Sequence, residues 1–258
     1  MRNTKRGAWD GRKLVRTGAL VLVLLLLAFC YTPPGRAMWT ELRRACGLLP
    51  FAQSLPNADL TVYVIDVGKA DAILIETPED AVLSDCATAE QAKTVLRILK
   101  QRNIQKLRAV WISPAEEVVT SMYTELTGLP EDQTVRTVSA GETVSYGEAE
   151  FRVLAPLEDL ESTNENSLVY KLCYKEFSML FCGDIEEKAE RLLLDIYGDT
   201  LRADVLKVPH HGSASATSDA LLEAVQPQYA VISSGEDRNL LPRNETLKRL
   251  ADHGIEIF

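Results

Sequence analysis

At 258 residues, with 46% hydrophobic and 25% charged side chains, the chain can bury a sizeable core as one large domain or two small ones. Its net charge is −9, but residues 1–50 hold nine Lys/Arg against two Asp/Glu, which leaves about −16 on residues 51–258. So acidic a body lacks the cationic footprint by which proteins neutralise phosphates, and direct binding of extended DNA or RNA is disfavoured unless bound cations change the local field.

Residues 1–16 form a basic flank, with Arg2, Lys5, Arg6, Arg12, Lys13 and Arg16 against Asp10 alone. Residues 17–35 carry no charge and contain the apolar run ALVLVLLLLAFCY at 19–31. A basic flank before an apolar helix former is an export signal, and the positive-inside rule places the rest of the chain outside the cytoplasm. Gly35-Arg36-Ala37 offers a small-x-small cleavage site, whereas Pro33-Pro34 equally ends an anchor helix. The expectation is a single-pass membrane anchor with an extracytoplasmic C-terminal domain; the alternative is secretion after cleavage. Residues 36–57 read as a linker, and 58–258 as the folded domain.

Strand patterns then open the domain at 60–67, 71–77 and 81–85, followed by helical spacing through Ala92, Val95, Leu96 and Leu99 over 88–102. A short strand is expected at 107–112, a helix at 115–127, and strands at 133–138 and 149–154. Residues 167–184 form a hairpin turning at Lys175-Glu176. Its register sets Cys173 opposite Ser178 and Cys182 opposite Val169, so these two thiols do not pair. With Cys30, Cys46 and Cys86 they lack the spacing of a disulfide scaffold, and buried free thiols are expected. Helices at 185–197, 217–225 and 243–253 alternate with strands at 203–208 and 228–233. Leading strands followed by such alternation indicate an α/β domain with two packed sheets.

Three stretches, in this order, carry a resemblance. VIDVGKADAILI (64–75) resembles the DVGQGDA opening of the metallo-β-lactamase-fold domain of ComEC, the bacterial DNA-uptake (competence) family. NENSLVYKL leading to LFCGDI (164–185) resembles that family's NNNSLVL…LTGDI hairpin, and ADVLKVPHHGS (203–213) its ADVLKVPHHGS. AVISSG (230–235) corresponds as well, so the resemblance spans about residues 58–258. It implies an αββα sandwich with a metal site at one edge and hydrolysis of phosphodiesters or related esters, a divalent ion lowering the pKa of its bound water.

The same resemblance makes the site degenerate. The family's His-x-His-x-Asp-His loop stands here as Ser113-Pro114-Ala115-Glu116-Glu117-Val118, and Leu241-Pro242 replaces a His-Pro. With three histidines in the whole chain, a complete two-metal set cannot be assembled. The residues left for a residual site are Asp184, His210 or His211, and Asp85, enough for one divalent ion such as Mn²⁺, Zn²⁺ or Mg²⁺ with waters completing its shell. Against this stand ordinary roles: Asp184 capping the helix that follows it, His210 hydrogen-bonding locally, and His253 closing the last helix. Asp66 and Asp71 are expected to pin the turn at Gly68, Cys182 to be a buried strand residue rather than a soft ligand, and Ser213 to lack a base. The expected function is a membrane-tethered ComEC-like protein of lost or reduced hydrolase activity, a pseudoenzyme that binds an envelope protein partner. The alternatives are a mononuclear metallohydrolase and a DNA-uptake accessory protein.

Overall fold

The computed structural model describes residues 32, 58–86, 91–104, 106–111, 138–235 and 240–258. The basic flank, the apolar segment, the predicted helix at 115–127, most of the strand expected at 133–138, and the 113–118 loop lie outside them. No helix among the described residues is long and apolar enough to cross a membrane.

Two sheets form within the unit Gln53–Phe258. The first contains β1 (Thr61–Val64), β2 (Ala72–Glu76), β3 (Ala81–Cys86) and β4 (Ala109–Trp111), in that order. β1, β2 and β3 are antiparallel, and β4 joins β3 in parallel after the crossover helix α1 (Ala92–Gln101). The second sheet holds β5 (Thr143–Tyr146), β6 (Ala149–Ala155), β7 (Val169–Tyr174), β8 (Phe177–Phe181), β9 (Val205–Lys207), β10 (Tyr229–Val231) and β11 (Glu256–Ile257), ordered β11-β10-β9-β8-β7-β6-β5. Helices α2 (Glu187–Tyr197), α3 (Asp219–Val225) and α4 (Asn244–Asp252) alternate with its parallel half.

Strand alternation decides how these layers stack, because successive side chains face opposite sides of a sheet. Ile73, Ile75 and Val82 from the first sheet meet Phe151, Val153, Tyr170, Leu172 and Phe181 from the second. Tyr170 lies at the centre of this layer, stacked on Phe181 at 4.6 Å and tilted against Trp111 at 5.4 Å. The opposite face of the second sheet, through Leu180, Leu206 and Ala230, packs on Leu193 of α2, Leu221 and Leu222 of α3 and Leu250 of α4. α1 covers the outer side of the first sheet: Arg102, just past its end, pairs with Glu76 at 2.6 Å and lies 3.8 Å over the Tyr63 ring. The described residues therefore form helix, sheet, sheet and helix layers, the α/β sandwich expected.

The hairpin turn at 175–176 and the pairing of Cys173 with Ser178 agree with the expected register. β5 lies outside the strands expected from the sequence because it is an edge strand whose Thr143 and Ser145 face water, leaving only Val144 and Tyr146 as apolar signal. Several strands are shorter than their apolar runs. β1 ends at Val64, and the chain turns through Gly68 before β2 begins.

Candidate metal centre

The carboxyl ends of three adjacent parallel strands converge. β8 delivers Asp184, β9 delivers Lys207 and the histidine pair, and β10 delivers Ser233. Such convergence beyond the C-terminal ends of parallel strands is where α/β sheets place their ligands. The first sheet contributes Asp71, the residue just before β2. Gly235 brings these loops together: a Cβ there would lie 2.7 Å from the Lys69 nitrogen and 2.9 Å from Gly68 backbone atoms, so only glycine permits the approach.

One oxygen each of Asp71 and Asp184 and one nitrogen of His211 lie within 4.8 Å of one another. His211 is buried, and its Nδ1 is 3.0 Å from the Ser233 carbonyl oxygen. A carbonyl only accepts, so Nδ1 carries the proton and Nε2 is left with a lone pair, as in metal-ligating histidines. That lone pair faces Asp184 Oδ1 at 3.5 Å. Two lone pairs so placed are arranged as a pair of ligands to a cation would be. The donor set thus fits a divalent cation.

Asp71 is engaged elsewhere. Lys207 Nζ lies 2.9 Å from both of its carboxylate oxygens, and the two residues are 1% and 5% exposed. Burial pushes the Asp71 carboxyl up, but the Lys207 ammonium, His211 and the hydrogen bonds outweigh it and hold the group below the ordinary carboxylate range. The expected role of Asp71 in the Gly68 turn is corrected: Asp66 alone serves there, its Oδ1 accepting from the Gly68 N–H at 3.4 Å. A lysine inside the apolar run Val205-Leu206-Lys207-Val208 signals a buried partner, and that signal was available in the sequence.

The capping role weighed for Asp184 is also displaced. α2 begins at Glu187, and the carboxylate that meets its free amides is Glu165, which accepts from Glu186, Lys188 and Ala189 at 3.0, 3.1 and 2.9 Å. Asp184 has its own N–H bound to Ser167 Oγ at 3.1 Å, and its carboxylate is turned to His211. His210 Nδ1 lies 2.8 Å from Glu186 Oε1, an oxygen that also accepts from Ser215 Oγ. Asp85 is buried at the end of β3, outside the three-residue group, and its charge acts on Tyr170. Burial first, and Asp85 and Asp71 after it, raise the Tyr170 hydroxyl far above its ordinary value.

Of the lesser candidates, Cys182 is buried in the helix-side core, and burial raises its thiol. Ser213 Oγ bonds Ser215 Oγ at 2.9 Å. His253 closes α4 and holds Asp219 Oδ1 at 3.1 Å. The 209–212 turn is held in shape from outside. His210 and His211 sit at φ 46° and 52°, Gly212 at φ 78°, and a Cβ on Gly212 would lie 2.6 Å from Pro242 Cβ. Gly212→Ala is therefore expected to cost about 2 kcal/mol, read as a lower denaturant midpoint at unchanged slope.

No family model matches the chain. Among curated proteins it is similar to competence protein ComA of Neisseria gonorrhoeae, 27% identical over 93% of this chain and 38% of that protein. It is also similar to ComE operon protein 3 of Bacillus subtilis, 28% identical over 69% of this chain and 23% of that protein. The chain thus spans well under half the length of either relative. Among solved structures, the metallo-β-lactamase fold protein YhfI of Bacillus subtilis superposes with a TM-score of 0.49 at 9% identity, covering 78% of this chain and 96% of that one. Through its ordered signature stretches, and with two packed sheets in the described residues, the chain is thus similar to these bacterial competence proteins.

Proposed function

We propose that this chain is a membrane-tethered, extracytoplasmic ComEC-like domain that holds one divalent cation at Asp184 and His211, with Mn²⁺, Zn²⁺ or Mg²⁺ as the candidate ions. Its hydrolytic capacity is reduced or lost, and it works by binding a partner in the cell envelope. The supporting observation is the fate of the three histidines. His253 is bound to Asp219, His210 lies against Glu186, and His211 alone faces the carboxylate pair. One imidazole and one uncommitted carboxylate hold an ion with water completing its shell, and do not provide the clamp on attacking and leaving oxygens that two ions supply. A bound ion would supply Lewis acidity and a more acidic water at this position. The chain's own contribution is to fix the Nε2 lone pair through Ser233 and to keep Asp184 free of the helix cap through Glu165. The basic flank and apolar segment support the tether.

A mononuclear hydrolase acting on a phosphodiester is the second reading, favoured by the oriented His211 tautomer and the uncapped Asp184 carboxylate. Metal analysis of the full chain in detergent, equilibrated with Mn²⁺, Zn²⁺ and Mg²⁺, tests the first. Up to one equivalent is expected in the wild type, with at least a tenfold loss of affinity in Asp184→Ala and in His211→Ala. Equal metal in all three proteins would remove the site. Turnover of bis(p-nitrophenyl) phosphate that disappears in both variants would establish the hydrolase reading instead.

A further inference from the structure

We propose that Lys207 acts as a fixed cation that withholds Asp71 from the metal centre, so that three donors lying within ligand distance of one another function as two. The inference rests on the cation reading of Asp184 and His211 and adds what sets the strength of that site. By distance alone Asp71, Asp184 and His211 are equivalent candidates, all mutually within 4.8 Å. Chemically they are not. The Lys207 ammonium lies 2.9 Å from both Asp71 oxygens, donates to Oδ2 and leaves Oδ1 without a hydrogen bond; it withholds Asp71 by charge, and being almost wholly buried it cannot swing into water to make way for an ion. The contrast with Lys171 is instructive: its ammonium, farther along the same sheet, reaches the Thr200 and Arg202 carbonyls at an exposed position.

Two consequences follow for an ion at Asp184 and His211. It meets one uncompensated carboxylate rather than two, and it feels the repulsion of an ammonium held beside Asp71 in a water-poor setting, where charges interact strongly. Lys207 therefore weakens the site and keeps its ion exchangeable. The sheet enforces this, because β9 is paired on both sides, to β8 and to β10, and its last residue has a fixed direction.

The substitution Lys207→Met keeps length and bulk while removing the charge, and Asp71→Asn/Lys207→Met removes both charges. The full-length wild type and both variants are titrated with Mn²⁺, free Mn²⁺ being followed by electron paramagnetic resonance, and melted with and without the ion. Lys207→Met is expected to bind Mn²⁺ at least about tenfold more tightly than the wild type and to gain more thermal stability from it, since Asp71 now needs a cation. The double variant is expected to return to wild-type affinity. Unchanged affinity in Lys207→Met, or a gain that persists in the double variant, overturns the assignment. So does a Lys207→Met protein that stays unfolded in the presence of Mn²⁺, because the ion should replace the missing ammonium. Mn²⁺ bound by Lys207→Met but not by the wild type removes the wild-type cation reading and leaves Lys207 as the residue that excludes the ion. Mn²⁺ bound by the wild type with no gain in the variant does the reverse.

Discussion

Asp71→Ala is expected to lower the unfolding free energy of the domain by about 3–5 kcal/mol, the largest single effect predicted for this chain. The loss comes less from attraction forgone than from an ammonium left buried without a partner, since Lys207 is 1% exposed and ends an otherwise apolar strand. In a domain of this size the change corresponds to a fall of roughly 10 °C in melting temperature. Differential scanning calorimetry of both proteins measures it. The pH dependence supplies a second signature. The Asp71 carboxyl is held below its ordinary value in the folded state, so its contribution is complete above the unfolded carboxylate range. It is lost as pH falls from about 4 toward the depressed folded value. The gap between wild type and Asp71→Ala should therefore be full at neutral pH and narrow in acid. A gap constant from pH 7 to pH 2 would show that the carboxylate is not paired as described.

Glu165→Ala is expected to cost about 2–3 kcal/mol. It takes the acceptor from three backbone amides at the start of α2, of which that of Ala189 is on the buried face of the helix. An N-terminal cap of one such bond contributes about 1 kcal/mol, and stranded buried donors cost 1–3 kcal/mol each. Chemical denaturation gives the total, and hydrogen exchange locates it. Amides 186, 188 and 189 should lose protection while those of α4 keep theirs. Because α2 begins three residues after Asp184, the same variant should also bind Mn²⁺ more weakly. An intact affinity beside a frayed helix would separate the cap from the site.

The frame of this domain was legible in the chain because its signals are local. The hairpin register followed from one turn, and the alternating helices and strands of the second half from apolar periodicity interrupted at glycine and proline. Asp184 and His211 were reachable because they sit in short, ordered stretches that resemble a known domain. The pairings around them were not local. Lys207 reaches Asp71 across 136 residues, and Glu165 reaches the α2 amides across as many as 24, so nothing in either neighbourhood names the partner. The two ordinary roles read for these acids, turn and cap, each exist in the fold, but Asp66 and Glu165 perform them. Short-range rules predict that a role must be filled more readily than which of two nearby carboxylates fills it.

The backbone of the 209–212 turn carries a further consequence. His210 and His211 both lie in the left-handed region, where a residue with a Cβ is disfavoured by about 1–2 kcal/mol and glycine is not. Two adjacent imidazoles held there oppose the scaffold that carries them, and the loop would relax if either were emptied of its side chain. Backbone and side chains therefore pull in opposite directions at this one turn: glycine at 210 or 211 would ease the backbone but remove the Glu186 contact of His210 or the Asp184-facing imidazole of His211.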